Sequence, residues 1–401
     1  MRRTLLVMFL VTGSLLAVSA VYRRMTPEVS AGRIPAVSNE VLERVPARLN
    51  DAFSQKTEAL RASLAQNPED LSAAVRLARL ELQEGRAHGD PRRLGYAQAA
   101  LAPWWRQATP PDEVLLLRAT LEQSLHAFPE ALADLELLLQ RDPSNAQAWI
   151  TRAVVLAVRG EYAQSEESCR PLGALAGILV ETVCMTNAQS QHGKAREAFE
   201  RLELTLRQQS EELPVEVSTW ALSTLADAAA RSGNERGVES NLQRALALDP
   251  KDPFLLAAYA DHLLDAHRPE EVLKLLRDEK QNDGLLLRRV LAEKALGASN
   301  DDADELRARY AASHLRGDSL HRREEARFVL SVEKEPARAL ALARANWEVQ
   351  KEFWDARILL ESALAARAPQ AAKPVLDALE LNHAEDPTLL ELARRVRELE
   401  S

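Results

Sequence analysis

Apolar side chains recur along most of this chain at three- and four-residue intervals, the spacing of one helix face. The runs come in pairs. From Asp112, Leu115 and Arg118-Ala119 mark a first helix, Ala131 and Leu135 a second, and Pro143 follows it. From Ala146, Trp149 and Arg152-Ala153 repeat the first helix, and Gly160, Tyr162, Ser165 and Cys169 the turn and the second. From Thr219 come Leu222, Leu225-Ala226, Gly233, Val238, Leu242, Ala245 and Pro250. From Pro253 come Leu256, Tyr259-Ala260, Val272 and Leu276. The period is about 34 residues, which predicts a stacked solenoid whose units bury their apolar faces only against neighbours. Alternating strand patterns are almost absent.

The positions have physical reasons. Large residues reach the core from the first helix. A small residue (Ala119, Ala153, Ala226, Ala260) is needed where the second helix crosses closely. Pro143 and Pro250 follow Asp142 and Asp249, where a helix must stop because proline cannot continue it. Weaker copies extend the array. Leu71, Ala74 and Leu77-Ala78 fit a first helix, but the turn from Gly85 to Arg93 is too long, and Ala97 and Leu101 resume the pattern. Leu179, Met185, Gly193, Ala198 and Leu202 form a longer unit. Ala337, Leu340, Ala343, Trp347, Phe353, Ala356 and Leu360 form another, with a rival register from Leu320. The stretch after Leu285 is helical but off-pattern.

The repeat resembles the tetratricopeptide family, whose pattern is W-x2-L-G-x2-Y, then A-x3-F, then P. The segment Arg244-Ala-Leu-Ala-Leu-Asp-Pro250 is its most family-like stretch. The resemblance implies an all-α, right-handed superhelical solenoid over residues 49–401. Its units lie near 71–110, 112–145, 146–178, 179–218, 219–252 and 253–286. A degenerate region 287–335, a unit 337–370 and a C-terminal cap 371–401 follow. In that family the first helices line a groove that holds peptides. By alignment the resemblance assigns to it Arg79, Gln83, Thr120, Gln123, Val154, Asn187, Gln191, Asp227, Arg231, Asp261 and Asp265. The subgroup that clamps C-terminal carboxylates needs lysines that are missing here, although Asn187 matches one of its positions.

Charge and composition narrow the partners. The formal net charge is −9 with both signs intermixed, and no Lys/Arg cluster beyond the N-terminus suggests a nucleic-acid face. Residues Thr4–Tyr22 carry no charge and lie between Arg2-Arg3 and Arg23-Arg24. A helix over them would span roughly 28 Å, close to the ~30 Å hydrocarbon core. Val18-Ser19-Ala20 also suits a signal peptidase. Residues 1–24 are therefore expected to be an N-terminal membrane anchor or a signal peptide, and 25–48, with Pro27, Gly32, Pro35 and Pro46, a tether. Either form places the solenoid outside the cytoplasm, anchored in an inner membrane facing the periplasm or free in it, in a chain that looks bacterial.

Catalytic motifs are missing: no H-E-x-x-H, G-x-S-x-G, phosphate loop or dinucleotide fingerprint is present. The eight histidines are scattered, and His262 and His267 are poorly spaced for a shared metal. The expectation is a non-catalytic scaffold without metal or cofactor that binds proteins or peptides, or else a helper subunit of an extracytoplasmic enzyme or maturation system. The long turn holds Arg92, Arg93 and Tyr96, which could grip an acidic partner or pair with nearby carboxylates. Cys169 and Cys184 are the only cysteines and fall on directly packed helices of adjacent units. A disulfide is expected in an oxidising compartment, contributing on the order of 3 kcal/mol; two buried free thiols are the alternative. Peptide mass mapping of the unreduced protein from its native compartment should recover a Cys169–Cys184 crosslinked pair. Two free thiols there would remove the disulfide.

Overall fold

The computed structural model describes residues 52–210, 212–298, 301–316 and 320–400. The expected anchor or signal segment and the tether lie outside these residues. The chain divides into two compact units. The described part of one is Arg309–Arg316, which is helical. The other holds the described residues of Val45–Ala308 and Leu320–Ser401.

No strand occurs among the described residues. In order, the helices are α1 (Ala52–Gln66), α2 (Leu71–His88), α3 (Arg92–Ala100), α4 (Ala102–Trp105), α5 (Asp112–Ser124), α6 (Phe128–Arg141), α7 (Ala146–Val158) and α8 (Tyr162–Cys169). Next come α9 (Leu172–Ala176), α10 (Ile178–Gln189), α11 (Ala195–Arg207), α12 (Val215–Arg231), α13 (Glu235–Leu248), α14 (Pro253–Asp265) and α15 (Pro269–Leu275). The chain continues through α16 (Asp283–Ala295), α17 (Asp301–Arg316), α18 (Arg322–Phe328, followed by a π turn over Val329–Glu333), α19 (Pro336–Trp347), α20 (Phe353–Ala365), α21 (Lys373–Leu381) and α22 (Pro387–Glu400). Most sequential helices pack as hairpins that also touch the next, and α16 contacts α18 directly.

Two kinds of turn alternate. Where a second helix hands over to the next first helix, the Asp142 N–H bonds to the Leu138 carbonyl at 2.8 Å. Pro143 then ends the run. The Asn145 side chain accepts the Ala148 N–H at 3.0 Å and starts α7. Asp249, Pro250 and Asp252 repeat this arrangement, with Asp252 accepting the Leu255 N–H at 2.9 Å. Such caps contribute about 1 kcal/mol each. Within a hairpin the turn needs a left-handed residue. Gly160 (φ 78°) and Gly233 (φ 72°) take it without steric cost. The next N–H closes back on the helix, from Glu161 to the Leu156 carbonyl and from Asn234 to Ala229, both at 2.8 Å. His126 and His267 adopt the same conformation at φ 59° and 56°.

Small residues set the hairpin spacing. Ala119, Ala153, Ala226 and Ala260 are buried against their second helices. At Ala153 the approach is close enough for the Ser165 hydroxyl to donate to its carbonyl at 2.8 Å. The stretch Gly85–Arg93 differs from the long turn expected. Helix α2 runs on through His88, so the extra residues are helical and the turn shrinks to Gly89–Pro91. Gly85 permits this, because a Cβ there would sit 3.0 Å from that of Arg93. Of the two adjacent tryptophans, Trp104 enters the core and Trp105 is half-buried. Between α8 and α10 the sulfurs of Cys169 and Cys184 are bonded, with Cα atoms 5.6 Å apart, and the loop they close contains α9.

A buried ion pair ties the α5–α6 hairpin to the segment before it. Arg118 Nε and Nη2 donate to Asp134 at 2.5 and 2.6 Å. Its Nη1 donates to the carbonyls of Trp105 at 2.6 Å and Gln107 at 3.0 Å. Removing the carboxylate alone strands a buried guanidinium. Asp134→Ala should therefore lower the unfolding free energy by about 3–5 kcal/mol in urea melts, whereas the apolar pair Arg118→Met/Asp134→Leu should lose much less.

Candidate partner-binding face

The sequence-assigned groove residues lie on first helices except Gln191, which falls in the turn after α10, and their surroundings differ along the chain. Arg79 and Gln83 on α2 are exposed. Thr120 and Gln123 on α5 and Val154 on α7 are partly covered, and the Thr120 hydroxyl donates to its own helix at Leu116. The Asn187 carbonyl accepts from Gln191 Nε2 at 3.1 Å. Beyond this point the face meets the chain's own later helices.

Gln191 and Arg231 line a narrow cavity of about 50 Å³ together with Lys351, Glu352 and Asp386. Asp227, deep in the face, has its carboxyl pushed up by burial, against the pull of Arg231. Asp261 is buried between two arginines, Arg288 Nη2 and Arg327 Nη1, each at 2.6 Å. Burial opposes its charge, but the arginines prevail and hold its carboxyl below the ordinary value. One turn on, Asp265 receives both Arg357 Nη1 and Nη2, at 2.6 and 2.7 Å. The Trp354 ring carries the Arg327 guanidinium 4.2 Å and the Arg357 guanidinium 4.5 Å from its centroid.

A second cavity, of about 260 Å³, is lined by His126, Asn282, His321, Arg323, Glu324 and Gln350 among others. Burial, then the charge of Arg323, pushes the His126 imidazole down to about 4, so it is neutral at physiological pH. Glu324 is half-buried, and Arg323 beside it holds its carboxyl down to about 2 against the opposing effect of burial.

Sequence reasoning missed Arg327, Lys351, Trp354, Arg357 and Glu385, which meet the face from α18 to the turn before α22. The one signal was the Trp354–Arg357 spacing, which puts an aromatic and a cation on one helix face. The loop candidates are engaged locally. Arg92 Nε donates to Asp90 at 2.7 Å, and Arg93 Nη1 to the fully buried Glu81 at 3.1 Å. Tyr96 is half exposed, with the Arg93 guanidinium 5.8 Å from its centroid. Among the described residues, no group of three or more His, Cys, Asp or Glu could hold a metal ion, and no helix is long and apolar enough to cross a membrane.

No protein-family model and no curated protein matches this chain. Among solved structures it is similar to the human IFIT1 dimer with m7Gppp-AAAA, at 15% identity over 87% of each chain with a TM-score of 0.40. It is also similar to yeast Tom70, at 10% identity over 87% of this chain and 85% of that one, TM-score 0.37. A tetratricopeptide repeat protein from Parabacteroides merdae matches at 13% identity over 77% of this chain and 92% of that one, TM-score 0.27. The helix-hairpin stack is tetratricopeptide-like on its own geometry: paired helices, alanines at four close crossings, and left-handed turns at His126, Gly160, Gly233 and His267.

Glu122, beside Gln123 on α5, is a second carboxylate near the face disfavoured in its charged form. Burial, with Asp134 next, pushes it up from 4.5 to about 7, and its Oε2 is buried without a hydrogen-bond partner. Because the folded value lies above the unfolded one, the folded state keeps a proton that the unfolded state releases. That contribution is fully present below pH 4.5 and is lost as pH rises to about 7. Glu122→Gln should be more stable than wild type at pH 8, by on the order of 1 kcal/mol, and equal to it at pH 4, in paired urea melts.

Proposed function

We propose that this chain is a non-catalytic scaffold that holds protein or peptide partners on its first-helix face. The observation that carries the reading is the hairpin stack itself. It aligns a series of first helices side by side and leaves polar side chains such as Arg79, Gln83 and Asn187 along them. Such side chains can hydrogen-bond an extended backbone. The open stretch on α2, α5 and α7 receives the partner first.

The scaffold works outside the cytoplasm. The Cys169–Cys184 bond and the uncharged Thr4–Tyr22 segment both support that location. The segment serves as anchor or signal, and the solenoid is displayed beyond the membrane. At the open end of the face Arg92 and Arg93 are paired with Asp90 and Glu81, and Tyr96 is the exposed side chain a partner can reach.

Photo-crosslinking in intact cells tests the face. A photoreactive residue at Gln83 or Asn187 should capture a small set of discrete proteins. The same residue at Glu136, exposed on the second helix α6, should not capture them. Identical adducts from all three positions would sink the assignment of the face.

A further inference from the structure

Seven contacts join the edge of the middle repeats to residues far away in the chain. The Lys351 N–H donates to the Val158 carbonyl at 2.8 Å, and its Nζ to the Arg159 carbonyl at 3.3 Å. The Tyr162 hydroxyl donates to the Lys351 carbonyl at 3.4 Å. The Glu385 carboxylate accepts the Ala195 N–H at 2.6 Å. Gln350 lies 2.9 Å from the His126 ring nitrogens. Arg327 and Arg357 reach Asp261 and Asp265. The turns of the first-to-second hairpins permit the approach: a Cβ on Gly160 would come within 3.3 Å of the Lys351 side chain, and one on Gly193 within 2.9 Å of the His383 Cβ.

This seam is polar. The hydrophobic clusters described are local to stretches of neighbouring hairpins. One runs from Ala326 to Val396, others over Leu115–Ala148, Leu179–Leu225 and Leu256–Ala292. Apolar links among the described residues are few: Leu320 packs against the cluster of α1 to α5, Tyr162 shares a cavity with Trp347, Phe353 and Leu389, and Pro387 approaches the Gly233 turn. Burial of apolar surface is the main force that keeps helices together. Parting the seam therefore removes mainly hydrogen bonds and ion pairs and leaves these four clusters closed. Its strongest element is the group in which Asp261 and Asp265, one turn apart on α14, grip two arginines stacked on Trp354. Asp265 is half exposed, so solvent and salt reach that pair.

We infer that residues 322–400 are a resident occupant of the hairpin-turn edge and the end of α14, held by this latch, and that a partner segment offering arginine to Asp265 takes their place. The inference rests on the scaffold reading, but the opening itself is measured without any partner.

Two amides report the opening. The Lys351 N–H and the Ala195 N–H find their partners only across the seam, whereas Leu225 sits in the core of α12. In native-state hydrogen exchange of the full chain, the first two should exchange at least about tenfold faster than Leu225, through a sub-global opening. Arg357→Asp and Asp265→Arg should each speed both amides by about a further tenfold, a change of ~1.4 kcal/mol. The double swap Asp265→Arg/Arg357→Asp should restore protection. Unchanged Leu225 exchange shows that each variant is folded. If the seam amides exchange only with Leu225, or ignore the charge reversals, the latch is overturned.

The partner's chemistry is read separately, from the crosslinker at Asn187. Arg357→Asp opens the seam and keeps the Asp265 carboxylate, so crosslink yield should rise. Asp265→Arg opens the seam and removes the carboxylate, so yield should not rise. An equal rise in both overturns the arginine reading while leaving the latch standing. No adduct from any variant, with the amides behaving as stated, would overturn the scaffold reading instead.

Discussion

The close crossing of the two helices in each hairpin governs this fold. An alanine at 119, 153, 226 and 260 lets the second helix approach until backbone and side-chain atoms interlock. A larger residue there would push the helices apart and open the cluster formed with the next hairpin. Everything downstream inherits that spacing: the direction of the turns, the stacking of first helices into one face, and the local character of each apolar cluster. Stability in such an array is a sum over neighbours.

Much of this was legible in the residues. The Asp-Pro steps at 142–143 and 249–250 end helices because proline has no N–H, and the Asx residue two positions beyond the proline, Asn145 or Asp252, caps the next helix. The four alanines and the glycines at 160 and 233 appear where the packing and the left-handed turns require them. Two histidines, His126 and His267, occupy the same turn conformation and gave no such signal, since histidine adopts it less often than glycine. The insertion at Gly85 read as loop because its Gly, Asp and Pro residues suggest a break. Helix propagation from the Asp70 cap carried α2 three residues past Gly85.

The candidate face was only half legible. Alignment can say which residues point from a first helix, because that depends on local periodicity. It cannot say what lies opposite them, because Asp261 meets Arg327 and Asp265 meets Arg357 only after the chain has stacked several more hairpins. Such pairings depend on accumulated rotation from unit to unit, and no short window of sequence encodes that. Glu122, Asp227 and Asp355 show the same limit. Their carboxyls are all pushed upward, chiefly by burial, and burial is set by the whole stack.

The difference between apolar hairpin contacts and a polar seam also has a mechanical meaning. Apolar clusters resist shear and tension broadly, since each is many weak contacts over an area. Hydrogen bonds and ion pairs are short-ranged and give way over a few tenths of a nanometre. A pull that separates residues 322–400 from the middle repeats would thus meet a brittle joint first and a compliant coil of intact hairpins afterwards. In that sense the Lys351, Glu385 and Arg357 contacts act as a fuse for the array, releasing length under load while every hairpin keeps its core.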